Sequence, residues 1–315
     1  MPRWVLAILL ISLVAGCSSA PTGRASVDST LAALMPPDAT MLAGIRMEAV
    51  RSTPLYKKLL ASQSLQQLDD FARETGFDPR RDVRDLLVGS NGKDLIIAAR
   101  GTFPEHNAEM LYVRGQGGVA LIDRSTAVAG TLPALRAALS RHHSGDRTRP
   151  DDLLTRARQI PAPNQIWSVA NGFDSLLTTL VPETGNLGNA GRILRALENT
   201  TIAADLSTGI NGSLTGVCRT EQDAKNLGDA ARGLIGLGRL SVPEKQPELL
   251  RLWDGIKVDQ QQRTVTITVV VPEDLVEKLL DLLGTHRGVP RLPVRQTVPS
   301  RPAAPSSGQG SHRPE

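Results

Sequence analysis

The chain has 315 residues and a mass of 33.7 kDa, with 40% apolar and 22% charged residues, the balance of a folded globular body. Its 36 Lys and Arg against 32 Asp and Glu give a formal charge of +4; two cysteines exclude a zinc ribbon or a dense disulfide framework, and 3% aromatics leave little for a base-stacking platform. No apolar run reaches the roughly 18 residues that a spanning helix needs.

The elements begin with Arg3, an apolar run from Trp4 to Val14, and then Ala15, Gly16 and Cys17. A basic start, a short apolar stretch and small residues make a secretory signal. Leu13-Val-Ala-Gly-Cys17 resembles the lipobox of bacterial lipoproteins, which signal peptidase II cuts in front of the cysteine. The resemblance implies that residues 1–16 are a signal peptide and that Val14, Ala15 and Gly16 are the peptidase's recognition residues. It further implies that Cys17 becomes the first mature residue, with diacylglycerol on sulfur and an acyl chain such as palmitate on its amine. Each buried methylene contributes ~0.8 kcal/mol, and two or more chains hold a protein stably on a bilayer. Ser18 follows where an aspartate favours inner-membrane retention, so the resemblance implies an outer-membrane protein facing the periplasm. The membrane, through this lipid, is the first expected partner.

Residues 1–16 hold Arg3 and no acid, so the remainder carries +3. Five arginines (Arg287, Arg291, Arg295, Arg301, Arg313) against Glu315 put +4 on the last 31 residues, leaving a body near neutrality. The basic balance belongs to the tail and supplies no nucleic-acid surface.

Residues 17–29 are the lipidated cysteine and a small, polar tether; Ser18 to Asp28 could span ~36 Å if extended. Residues 30–145 form a first expected α+β repeat. Met41 to Met47 reads as a strand after Pro36-Pro-Asp38, followed by a helical stretch with Leu55, Leu59, Leu65, Leu68, Phe71 and Ala72 at helical spacing and a stop at Gly76. Leu86-Leu-Val88 and Leu95-Ile-Ile97 flank Asn91-Gly92, a strong hairpin signal. Met110 to Val113 and Val119 to Ile122 make a second hairpin, and a helix from Pro133 to Arg141 closes the half.

Arg141 to Asp152 is strongly polar and marks the joint. Residues 146–284 form the second repeat: a strand at Ile166–Val169, helical Phe173–Leu180 and Ile193–Leu197, and a hairpin of Thr201–Leu206 with Ile210–Val217. Thr220 and Asp223 form a reciprocal cap for a helix with the face Ala224, Leu227, Ala231, Leu234 and Ile235. Thr264–Val271 alternates as a strand with one buried face, and Pro272 opens a helix with the stripe Val276, Leu279, Leu280 and Leu283. Residues 285–315, rich in Pro and Arg, cannot bury a core and are expected to be disordered. The expected fold class is α+β, a duplicated unit of antiparallel sheet with helices packed on one face.

Gly76-Phe-Asp-Pro-Arg-Arg-Asp82, Ala99-Arg-Gly-Thr-Phe103 and Thr220-Glu-Gln-Asp-Ala224 resemble segments of the DUF3352-like group of bacterial envelope proteins. That resemblance implies a fold and no particular activity.

Motifs that carry chemistry resolve into structural roles. Ser90-Asn-Gly-Lys93 has serine-to-lysine spacing but sits on a hairpin tip, and Gly115-Gln-Gly-Gly118 precedes a strand where a dinucleotide fingerprint must open a helix. His106, His142, His143, His286 and His312 lack metal-ligand spacing, and adjacent His142-His143 diverge. Cys218 lies on a strand as a small core residue, and Trp167 and Trp253 are core anchors. The pairs Asp69-Asp70 and Asp151-Asp152 are solvated neighbours. No catalytic, cofactor or metal residue is assigned. The expectation is a non-catalytic, lipid-anchored binding or scaffold module with a protein partner in the envelope and no nucleic acid. Two alternatives stay open: a periplasmic carrier with an apolar pocket of several hundred Å³, or an envelope hydrolase assembled from scattered residues such as His106.

Overall fold

Strand β1 (Met41–Arg46) begins where Pro36-Pro-Asp38 turns the chain out of helix α1 (Ser29–Leu34). Asp28 caps α1, its carboxylate accepting from the amides of Thr30 and Leu31 at 2.8 and 3.0 Å. This computed structural model describes residues 26–62, 69, 72–73, 78–103, 110–172, 194–243 and 246–285. The lipobox, most of the tether, His106, Gly76, the stretch Phe173–Leu180 and the tail after Thr285 lie outside them.

After β1 come helices α2 (Met47–Ser52), α3 (Pro54–Ser62) and α4 (Pro79–Asp82), then β2 (Val83–Ser90) and β3 (Leu95–Gly101). The meander β4 (Met110–Arg114), β5 (Gly117–Asp123) and β6 (Thr126–Thr131) follows, and α5 (Leu132–Ser144) ends the first half. The second half runs α6 (Asp151–Ala157), β7 (Ile166–Asn171), β8 (Leu197–Asp205), β9 (Gly209–Cys218) and α7 (Glu221–Leu240). It closes with α8 (Pro247–Asp254), β10 (Ile256–Gln261), β11 (Thr264–Pro272) and α9 (Glu273–Thr285).

Among the described residues, eleven strands join one sheet in the order β10-β11-β9-β8-β7-β1-β2-β3-β6-β5-β4, and every pairing is antiparallel. That order runs alike outward from its centre. The leading strands of the halves, β1 and β7, are central neighbours, with Met41 opposite Ala170 and Ile45 opposite Ile166. Outward from them run β1-β2-β3 on one side and β7-β8-β9 on the other. The next strand out is the last of each half, β6 or β11.

Residues directly opposite share a face, and successive residues alternate between faces. Leu42, Gly89, Ile96 and Gly130 form one row across β1, β2, β3 and β6, and Gly44, Leu87, Ala98 and Val128 form the next. These rows, with Trp167 and Val169 of β7, are buried beneath Leu31 and Leu34 of α1, Leu135 of α5 and Leu153 and Leu154 of α6 in one continuous core. Each fully buried leucine of this kind is worth about 1.5–3 kcal/mol in transfer free energy.

In the second half the opposite face is covered. Val265 and Cys218 pack with Ala224 and Leu227 of α7, and Val271 packs with Leu275 and Val276 of α9 and with Leu252 of α8. Helices α1, α5 and α6, the last drawn from the second half, therefore cover one face of the sheet, and α7, α8 and α9 cover the opposite face of the second-half strands. The α+β expectation holds. The small cluster Val83, Ala99, Phe103 and Ala127 closes the reverse side of the first half against Met47 of α2.

Gly44 sits where β1 passes β7. An added Cβ would lie 2.3 Å from ring atoms of Trp167, its cross-strand partner, so the indole occupies the space of the missing side chain.

Local expectations differ from the structure at four places. Strand β6 (Thr-Ala-Val-Ala-Gly-Thr) was not anticipated, because its small residues carry little apolar contrast. Leu197 begins β8 and does not end a helix. Helix α8 and strand β10 are additional elements. Helical spacing places Leu234 on the buried face of α7, yet Leu234, Leu237 and Leu240 are 65%, 63% and 85% exposed. Residues 224–228 of α7 supply its buried contacts, and its last turns extend away from the strands.

Candidate functional site

Two clefts flank helix α1. At the first, the apolar rows give way to a polar row on the same face: Arg46 of β1 lies opposite Asp85 of β2, which lies opposite Arg100 of β3, which lies opposite Thr126 of β6. Ser26, Val27, Asp28, Gly44, Arg46, Asp85 and Trp167 are among the residues around a cleft of about 210 Å³. Arg100 is fully engaged, its Nε donating to Asp28 at 3.1 Å and its other nitrogens to the hydroxyls of Ser125, Thr126 and Thr30. Burial would raise the pKa of Asp28, but the Leu31 amide and Arg100 outweigh it and hold the carboxyl below its ordinary value. Arg46 reaches across β7 to the carbonyls of Ala162 and Asn164. Both arginines thus bond elsewhere. Among the described residues Asp85 accepts no hydrogen bond, and burial pushes its pKa up.

The row continues beyond β1 through Gln165, which is buried and ties the end of β8 to β7. Its amide donates to Asp205 at 3.0 Å and Ser207 at 2.9 Å, and its carbonyl accepts from the Leu206 amide at 2.7 Å. These groups are consumed in holding strand ends, and they leave no nucleophile and base in contact.

The second cleft, about 390 Å³, lies between α1 and the C-terminal end of α5. Ser29, Thr30, Ala33 and Leu34 form one wall; Arg141, His142, Gly145, Asp146, Arg147 and Arg149 form the other. Gly145, with φ of 70°, ends α5 in the left-handed conformation and turns the chain back over α1. This is the polar joint recognised in the sequence, folded against the first helix after the tether.

The remaining candidates are placed as follows. His142 and His143 share the last turn of α5 with ring centroids 5.9 Å apart and tilted by 57°. Among the described residues, no three His, Cys, Asp or Glu side chains are grouped to hold a metal ion. Cys218 is fully buried, and burial together with Asp223 and Glu198 pushes its thiol pKa up, the opposite of nucleophile activation. The Ser90 hydroxyl donates to the Asp94 carbonyl at 2.9 Å, closing the β2–β3 turn. Gly115 and Gly117 serve the β4–β5 turn. Trp167 is buried in the central core, and Trp253 packs its ring against Gly238. Asp69 pairs with Arg80 at 2.8 Å, while Asp151 and Asp152 sit in the first turn of α6 and pair with Arg149 and Arg156 at 2.8 and 3.3 Å. Thr220 caps α7, accepting from the Asp223 amide at 3.1 Å while its hydroxyl donates to the Asp223 carboxylate at 2.7 Å. Sequence reasoning missed the Arg46–Asp85–Arg100 row. Its signal was a charged residue near one end of each of three otherwise apolar strands, which become neighbours only once the register is fixed.

Among the described residues, no helix is long and apolar enough to cross a membrane. No family model matches the chain, and no curated protein matches it. Solved structures of the protein TP0453 are similar. Crystal form I has a TM-score of 0.46 at 10% identity, covering 83% of this chain and 99% of that one. Form III has a TM-score of 0.46 at 9% identity, covering 83% and 100%, and form IV has 0.44 at 10%, covering 82% and 97%.

Proposed function

We propose that this protein is a lipid-anchored, non-catalytic binding or scaffold module of the bacterial cell envelope, held through Cys17 on the outer membrane and facing the periplasm. The observation that carries the reading is the ordered set Arg3, the short apolar run Trp4–Val14, and Val14-Ala-Gly-Cys17. What supports the non-catalytic part is how the reactive side chains are used. Cys218 is sealed under α7, Ser90 closes a turn, and the arginines of the polar row cap carbonyls and carboxylates. A carrier of hydrophobic ligands calls for a large apolar cavity, whereas the cleft of several hundred Å³ here has a wall of arginine, histidine and aspartate. The partner expected is another envelope protein.

Replacing the anchor tests the reading directly. Wild-type protein should partition into the detergent phase of a cloud-point extraction, and Cys17→Ser should move to the aqueous phase. Unchanged partitioning of the variant would sink the lipoprotein assignment. Crosslinking in intact cells with the native anchor should then recover one reproducible envelope protein; its absence counts against the scaffold role.

A further inference from the structure

We propose that the cleft between α1 and the end of α5 is a binding site for a phosphate-bearing anion, gripped by the guanidinium groups of Arg141 and Arg147 with the Ser29 hydroxyl. This goes beyond the envelope reading and stands on the described residues alone.

Three arginines and one aspartate line the cleft. Arg149 is already neutralised, its Nε donating to Asp151 at 2.8 Å. Arg141 is anchored by one nitrogen only: Nη2 donates to the carbonyls of Leu34 and Met35 at 3.1 and 3.2 Å, fixing the guanidinium across the end of α1. Its Nε is buried without a partner, and Nη1 makes no hydrogen bond among the described residues. Desolvation pulls the Arg141 pKa below its ordinary value, against weaker attraction from Asp146 and Asp38. Neither acid touches it: Asp146 accepts from the amide and hydroxyl of Thr148, and Asp38 accepts from Asn91. Arg147 is exposed and, among the described residues, makes no hydrogen bond or ion pair, and the Ser29 hydroxyl is equally uncommitted there.

The result is one oriented, partly desolvated guanidinium and one exposed guanidinium on one wall of the cleft, with the Ser29 hydroxyl on the facing wall. Planar guanidinium forks match phosphate oxygens, and charge-assisted bonds of this type are the strong ones. Phosphate groups of this kind are carried both by lipid headgroups and by soluble ligands.

The experiment is equilibrium dialysis of inorganic phosphate against the full chain in a nonionic detergent. The expected result is saturable uptake at one site. Arg147→Gln, which removes no contact within the fold, should weaken it about tenfold, the loss of one charge-assisted contact. Arg219→Gln, removing an exposed arginine elsewhere, should leave it within about twofold. Competition by short-chain, micelle-free phosphatidylglycerol assigns the site to a headgroup; phosphate uptake that this lipid does not displace assigns it to a soluble phosphate-bearing ligand. No saturable uptake by the wild type, or equal loss in the two variants, overturns the proposal. Neither result bears on Cys17, so failure here is separable from failure of the anchor.

Discussion

The two halves of the sheet share an element order but bury opposite faces. In the first half the even-numbered residues of β1 (Leu42, Gly44) look into the core under α1, α5 and α6. In the second half the odd-numbered residues of β11 (Val265, Ile267, Val269, Val271) look toward α7, α8 and α9. The row that is Leu42 and Val169 at the centre becomes Thr201, Thr215 and Thr266 further out, so one continuous face changes from apolar to hydroxyl-bearing across β8. An approximate two-fold perpendicular to a sheet preserves its faces and would have put both sets of helices on the same side. The two halves therefore share a strand order, while the side-chain alternation of each strand selects the covered face.

The strongest way to break the comparison is at its hinge, where the halves meet. Gly44→Val should force the Trp167 indole out of its slot and cost about 3 kcal/mol or more, because overpacking a core row shifts backbone as well as rotamers. Chemical denaturation should show a large fall in midpoint; a fall of less than half a kcal/mol equivalent would mean that the β1–β7 contact does not unite the halves. A paired truncation sharpens the picture next. Leu135→Ala under the first half removes a fully buried side chain and should cost about 2–5 kcal/mol. Leu237→Ala on the outer turns of α7 should stay within about 0.5 kcal/mol, the range for exposed positions. Similar losses at both sites would show that the end of α7 is covered in solution.

Much of this was visible in the sequence. The hairpins at Asn91-Gly92 and Ser207-Thr-Gly209, the cap at Thr220, the polar joint at 141–152 and the loose repetition of elements follow from local chemistry. What stayed hidden depends on which strand lies beside which. Strand β6 reads as Thr-Ala-Val-Ala-Gly-Thr and becomes a core strand only because Val128 faces Ala98 and Ala120. The exposure of Leu234 could not be foreseen, since helical periodicity says which residues share a side and not how far the supporting sheet extends. The cleft at Arg141 was half legible: the charge run was noted, but its fold-back on α1 needs Gly145 in the left-handed conformation.

The smallest effect expected separates the polar ends of the two halves by pH. Asp205, in the second half, is pulled upward by burial, but Ser207 and Gln165 donate to it and hold its pKa below the ordinary 3.8. Its ionised form therefore stabilises the fold above that value, and the contribution is lost as pH falls through its lowered folded pKa. Asp85, in the first half, is raised by burial and accepts no bond among the described residues, so the folded state prefers it protonated and loses stability as pH rises past 3.8. Asp205→Asn should accordingly lower the thermal midpoint at pH 7, by an amount that shrinks in acid. Asp85→Asn should raise the midpoint at pH 7, with the gain fading toward pH 3. Thermal melts of both variants at the two pH values decide it. Shifts of the same sign at pH 7 would mean that Asp85 has an ionic partner in solution, because only a partnered carboxylate at that row could stabilise the fold as Asp205 does.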